Sequence, residues 1–260
     1  MRLSGQIAIV TGAGQGIVQQ IALRLAEEGA MVVIADINGK GSIETQEMIS
    51  RNYGKKSKVI PTDITHEEQV VAMVNGSLEI DDRIEILVNN SGIAGPIKNI
   101  EDITLEEWEA TMSVNLRGMF LCCKHVVPVM KKQEKGNIIN ISSVVGKLPL
   151  AQRTPYASSK MGVIGFTRTL AAEVGKWKIR VNAICPGQVI GARFNRVLEG
   201  IVKYSGKSWD EIVAEQTNKS NLKSFVEPKY IGATVAFLCS EDSAMITGED
   251  IDVSGGNVSF

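Results

Sequence analysis

A tyrosine and a lysine four residues apart, Tyr156 and Lys160 in the run YASSK, are the side chains of this 260-residue protein best placed to do chemistry. Positions i and i+4 of a helix share one face, one turn apart, so an ammonium would stand beside a phenol. The positive charge favours phenolate and draws the phenol down from its usual value of about 10. Such a phenol can give a proton to a carbonyl oxygen or take one from an alcohol. The spacing alone also arises by chance on solvated helix faces. It gains weight from Ser142–Ser143, which closes the preceding apolar run, and from a glycine-rich segment near the N-terminus.

That segment, TGAGQGI over 11–17, contributes Gly12, Gln15, Gly16 and Ile17. Glycines tolerate positive φ and let a backbone approach a ligand closely. A helix opening there offers unpaired N–H groups and a partial positive charge to a pyrophosphate. Asp36 follows at the end of the next apolar run, where a carboxylate can bond both ribose hydroxyls of NAD and would repel the 2′-phosphate of NADP. Neither Gln15 nor Ile37 supplies an arginine for that phosphate. The cofactor expected is NAD.

The elements that must position these residues alternate. Short apolar runs over 7–10, 31–35, 58–61, 84–88, 137–141, 179–184 and 251–253 read as strands. Helical periodicity covers 17–28, 42–50, a stretch from 66, 105–132, 156–174 and 228–238, and 193–223 reads as polar and partly helical. Gly29 follows the first helix as its cap, Thr65 is a candidate N-cap, and Thr104 with Glu107 forms a capping box. Continuous apolar strands require a sheet covered on both faces. The fold class is therefore α/β: a doubly wound parallel sheet in a three-layer α/β/α sandwich, one domain over 1–260. The cofactor half covers about 1–145, the catalytic half about 146–260, with a lid over about 188–226. Gly12, Asp36, Asn89, Ser143 and Gly187 all fall beyond carboxyl ends of strands, where such sheets bind ligands.

Charge is balanced, with 28 basic against 29 acidic residues and no polybasic run, so nucleic-acid and membrane partners are not expected. Cys122, Cys123, Cys185 and Cys239 show no CxxC spacing and read as buried thiols of a cytoplasmic protein. No signal peptide or spanning run is recognised, and His66 and His125 do not suggest a metal pair, so no metal is expected.

With these residues in place, the chain resembles the classical short-chain dehydrogenase/reductase family. The motifs are TGAGQGI, Asp63, NNSG over 89–92, Asn115, Ser143, YASSK and CPG over 185–187. The resemblance implies a Rossmann-like sheet of seven strands, an NAD(P)-dependent oxidoreductase acting on a small molecule, and a homotetramer or homodimer. By the same resemblance Tyr156 is the acid/base, Lys160 binds the nicotinamide ribose and Ser143 holds the substrate oxygen. Asn115 interrupts its helix and holds a water. Asp63 and Ile64 contact adenine. Asn89, Ser91 and Gly92 lie along the cofactor, and Pro186, Gly187 and Val189 border the nicotinamide.

Two positions depart from the family pattern. Serine replaces alanine at 91. Val18 stands where a glycine is usual, so that its side chain is expected to crowd the first strand or the cofactor, with Val18→Gly tightening NAD binding. The polar lid, with Lys203, Lys207, Lys219 and Lys223, points to a small polar substrate: a sugar, polyol or hydroxy acid. Arg153 and Arg193 are candidate partners for an anionic substrate group. A cyclic ketone, and a dinucleotide sensor without catalysis, are the alternatives. Apolar or small residues on a second face of the long helices (Met119, Cys122, Val126; Ala157, Met161, Ile164, Ala171) suggest a symmetry mate.

Overall fold

The computed structural model describes residues 1–14 and 16–257, with the side chains of residues 192, 193 and 204 left aside. Gln15 and the Arg193 side chain, both named above, thus lie outside the described residues.

Strand alternation decides which layer each side chain joins. In β1 (Ile7–Thr11), Ala8 and Val10 face one side of the sheet and Ile7 and Ile9 the other. The same parity runs through β2 (Met31–Asp36), β4 (Ile86–Asn89) and β5 (Gly136–Ile141). The first face is covered by α1 (Ile17–Glu27), α2 (Gly39–Tyr53) and α9 (Pro228–Cys239), which bring Ile21, Leu25, Ile49, Ile231 and Val235. The second is covered by α3 (Glu67–Leu78), α5 (Gly118–Gln133) and α6 (Thr154–Val174), which bring Val70, Met73, Val126, Met130 and Val163. Two apolar cores on one sheet give the three-layer sandwich expected.

Seven parallel strands run in the order β3-β2-β1-β4-β5-β6-β7, with β3 at Ser57–Pro61, β6 at Ile179–Pro186 and β7 at Asp250–Val253. Chain direction across the sheet reverses between β1 and β4, where Val10 sits opposite Val88. The crevice beyond that pair is where such a sheet accepts a ligand.

Three expectations need correction. The helix expected over 105–132 is broken into α4 (Leu105–Met112), a π turn (Ser113–Arg117) and α5. The extra residue in the π turn lets Asn115 turn inward to side-chain partners described below. Thr65 does not cap α3. The N-cap is His66, without a side-chain bond, and the Thr65 hydroxyl donates instead to Asp63. The apolar residues assigned to a symmetry mate are mostly used within the chain. Met119, Cys122, Val126, Ile164 and Ala171 are buried in its own core, leaving Ala157 half-buried and Met161, 53% exposed, on the outer face.

Candidate active site

The segment that follows β4 is a strap, residues 90–94, sewn to three elements. The Thr11 hydroxyl, at the end of β1, accepts the N–H groups of Asn90 (3.1 Å) and Ser91 (3.3 Å) and donates to Val88 O. Asn115, in the π turn, accepts the Ile93 N–H at its Oδ1 (2.8 Å) and donates from Nδ2 to Ile93 O (3.0 Å). The same Nδ2 donates to the hydroxyl of Ser159 in α6 (3.0 Å). Arg153, at the start of α6, donates from Nη2 to Ala94 O (2.8 Å). Gly92 permits the approach: a Cβ there would stand 3.2 Å from Asn115 Oδ1 and 3.7 Å from Lys160 Nζ.

Helix α6 presents Tyr156 and Lys160 on one face. Lys160 is 5% exposed, its Nζ lies 5.8 Å from the Tyr156 ring centroid, and it donates to Ile141 O at 2.8 Å. An ammonium held by a carbonyl at a strand end is fixed in place beside the phenol. Ser142 donates to the Lys160 carbonyl (2.7 Å), which fastens the end of β5 to α6. Ser143 opens a short 3-10 turn (Val144–Gly146) and accepts the Val145 N–H at its hydroxyl. Gly146 lets that turn lie against α6, since a Cβ would come within 2.9 Å of the Lys160 carbonyl carbon. Lys147 then ties the turn to β7, with its Nζ 2.8 Å from both Asp250 and Asp252. Burial works against the Asp250 carboxylate, but the bonds from Lys147 and Arg168 outweigh it and hold its pKa below the usual range.

The crevice between β1 and β4 has the features a dinucleotide needs. Gly12 has φ +75°, and a Cβ would strike Ser91, so the β1 turn lies directly on the strap. Gly16 caps α1 with φ +70° and nothing within 4 Å of the Cβ position. Among the described residues no side chain caps α1, and its first turn carries no acid, which suits the helix N-terminus to a pyrophosphate. Asp36, at the end of β2, accepts the N–H groups of Gly14 (2.7 Å) and Asn38 (2.8 Å), and these fix its carboxylate at the rim with Ile37 exposed beside it. Across the crevice, Asp63 accepts the amide and hydroxyl of Thr65. Burial opposes its charge, but these bonds and His66 prevail and lower its pKa. The residues present fit a nicotinamide dinucleotide.

The segment expected to be a lid is tied at its ends beside the sheet. Val189 bridges Val226 as a short parallel pair, with Ile190 N–H donating to Val226 O and Val226 N–H to Gln188 O (both 2.9 Å). Gly187 must be glycine because a Cβ would lie 2.8 Å from the Ser254 Cα. Between the roots stand α7 (Ala192–Ser205) and α8 (Trp209–Thr217), with Phe194 edge-on to Phe225 at 5.0 Å.

This arrangement has counterparts in known proteins. A family model described as enoyl-(acyl carrier protein) reductase matches residues 12–257. A levodione reductase from Leifsonia aquatica is 33% identical, over 98% of this chain and 95% of its own. The chain belongs to the short-chain dehydrogenase/reductase family. A crystal structure of NAD+-bound xylitol dehydrogenase superposes with a TM-score of 0.92 at 28% identity, covering 98% of this chain and 100% of that one. L-sorbose reductase from Gluconobacter frateurii, complexed with NADPH and L-sorbose, gives 0.94 at 27% identity with both chains fully covered. The protein is thus similar to oxidoreductases that hold either nicotinamide cofactor.

The residues named from the sequence do not all border the crevice. Asn115, Ser143, Tyr156 and Lys160 are brought to one end of the sheet, and Gly12, Gly16, Ile17, Asp36 and Asp63 border the crevice. Asn89 does not line it. Its amide is buried and donates to Asn140 (2.9 Å) and Cys123 (3.3 Å). Ile64 is also buried, against Gly118. Thr11 and Ser159 lie inside TGAGQGI and YASSK and Ser142 lies beside Ser143, but nothing in the sequence assigns them the strap and strand-end bonds they make. All four cysteines are buried thiols, and burial pushes Cys123 and Cys239 up to about 12.

Val18 is accommodated. It is 5% exposed within the core formed by α1, α9 and the sheet, so it presents almost no surface to a cofactor. The expected gain in NAD affinity is withdrawn. Val18→Gly should instead leave NAD affinity unchanged and lower stability by about 2–4 kcal/mol, the sum of a cavity and a helical glycine. Calorimetric titration of NAD and urea unfolding of both proteins would separate the two effects.

Proposed function

We propose that the protein is an NAD-dependent oxidoreductase that interconverts a secondary alcohol and its ketone, with a small polar substrate such as a sugar, polyol or hydroxy acid. The observation that carries this reading is the Tyr156–Lys160 pair, locked to the ends of β5 and to the strap beside a dinucleotide crevice. The nicotinamide, when bound, gives or takes the hydride. The chain's own residues do the rest. Tyr156 passes its proton to the substrate oxygen during reduction and removes it during oxidation. Ser143 bonds the same oxygen and orients it. Lys160 keeps positive charge next to the phenol and reaches the ribose. The cofactor choice rests on Asp36, and the substrate class on the polar lid and on the likeness to xylitol dehydrogenase and L-sorbose reductase. A less polar ketone is the second reading. Exposed Leu150, Ile190 and Ile93 near the site, and the levodione reductase relative, favour it. A screen of NADH formation and consumption across sugars, polyols, hydroxy acids and cyclic ketones tests both.

The same reading places the protein in the cytoplasm, where its buried thiols would stay reduced, and among homodimers or homotetramers. Phe120 and Met161 stand exposed on the outer face of α5 and α6, beside a groove of about 310 Å³ lined by Met112, Leu116 and Phe120. A second copy would cover this surface.

Tyr156→Phe should reduce kcat at least about a hundredfold, the low end of what a positioned acid/base contributes, with NADH affinity preserved. Substantial residual turnover would assign the proton to another group. Asp36→Ala should narrow the preference for NAD over NADP by about 1–3 kcal/mol, the scale of a charge-assisted hydrogen bond. Kinetics in which the parent prefers NADP would refute the role given to Asp36. Light scattering should show a dimer or tetramer at micromolar concentration, shifted toward monomer by Phe120→Asp. A monomeric parent would remove the assembly from the proposal.

A further inference from the structure

Arg153 stands at the N-cap of α6, three residues before Tyr156 and seven before Lys160. Offsets of three and four residues fall on one helix face, so the two cations bracket the tyrosine along the axis, one turn on either side. The Arg153 Cζ lies 4.9 Å from the Tyr156 ring centroid, nearer than the Lys160 Nζ at 5.8 Å. Its Nη2 is simultaneously bonded to Ala94 O in the strap at 2.8 Å. A guanidinium is planar and permanently charged, and one anchored to a carbonyl stays against the ring it touches.

We propose that Arg153 is a positioning residue for Tyr156: it clamps the ring against the strap and sets a second fixed positive charge beside the phenol, so that Arg153 and Lys160 together favour phenolate. This rests on the reading of Tyr156 as the acid/base and goes beyond it, since that role requires one cation only. Four other cations described on the packed elements have partners elsewhere. Lys98, on the segment after the strap, is bound to Glu107 of α4 at 2.6 Å. Lys147, in the turn after Ser143, is bound to Asp250 and Asp252. On the α6 and π-turn side, Arg168 pairs with Asp250 and Arg117 donates to Ser113. Among these described groups, none other than Arg153 and Lys160 has its charge on the Tyr156 ring. The clamp also ties the phenol to the strap that borders the crevice, so that ring and cofactor floor share one support.

The test needs no substrate. Tyrosinate absorbance is titrated in the parent and in Tyr156→Phe, and their difference gives the midpoint of Tyr156. The same difference is then taken in Arg153→Met, Arg153→Gln and Arg153→Lys backgrounds, with circular dichroism to verify folding. The midpoint should rise by about one pH unit, on the order of tenfold in the ionisation constant, in both neutral variants, as expected for removing one charge about 5 Å away in a partly solvated site. Arg153→Lys should restore most of it. A midpoint unmoved in a folded neutral variant overturns the proposal, as does a lysine variant that behaves like methionine. The readout is independent of turnover: a parent that oxidises no alcohol would sink the proposed function while leaving the titration to decide the part played by Arg153.

Discussion

The site depends on the immobility of five residues. The strap over 90–94 has irregular backbone at the carboxyl end of a parallel sheet, where no ladder partner is available for its N–H and C=O groups. Backbone polar groups in such a place need partners as surely as those in a strand. Here they are met from three directions: a threonine hydroxyl from β1, an amide from the π turn and a guanidinium from the start of α6. Each partner belongs to a different part of the apparatus. Thr11 precedes the glycine turn of the crevice, Asn115 contacts the helix that carries Lys160, and Arg153 touches Tyr156. Moving the strap would therefore move the crevice and the phenol together.

The π turn shows what this arrangement costs. An uninterrupted helix over 105–133 would retain regular i→i−4 bonding, and the structure gives that up over five residues. In return the buried Asn115 amide makes three bonds, two to Ile93 and one to Ser159. An amide is the fitting group because it combines acceptor and donor across one plane, matching the N–H and C=O of a single residue. A carboxylate would lack the donor, and a leucine would leave both Ile93 groups without a partner.

The strands, the helices and the shared helix face of Tyr156 and Lys160 are legible in the sequence because they rest on local pattern. Apolar runs gave the strands, and YASSK gave a helix face independent of neighbours. What was missed depends on parity or on long-range contact. Asn89 and Asn90 are chemically identical and adjacent; only the position of β4's last paired residue decides that Asn89 points at Cys123 while the Asn90 N–H is left to the Thr11 hydroxyl. The break at Asn115 follows from the resemblance and not from periodicity, since apolar residues on more than one face of this stretch leave no single stripe whose phase shift would mark an inserted residue. The second apolar face of α5 was misread for a related reason. Met119, Cys122 and Val126 meet β4, β5 and α3 inside the chain, and sequence does not say how deeply a helix sinks into its own sheet.

Class of reaction and identity of substrate are written in different kinds of residue. The class resides in strand-end groups whose positions are set by backbone contacts: a Cβ on Gly12, Gly92 or Gly187 would meet Ser91, Asn115 or Ser254 within about 3.2 Å. Such positions tolerate little change in this chain, because a side chain there would displace backbone or a buried partner. The lid is held differently. Its roots at Val189 and Val226 pair with one another, and Leu222 adds a bond to Gly255, while α7 and α8 between them pack chiefly together. Closing a long segment at its ends costs only slightly more as the segment lengthens, by a term logarithmic in its length. Lid length and side chains can therefore vary with little effect on the sheet or on Tyr156. The same freedom removes any fixed motif from this segment, which is why a substrate is not read from it as a fold is read from the strands.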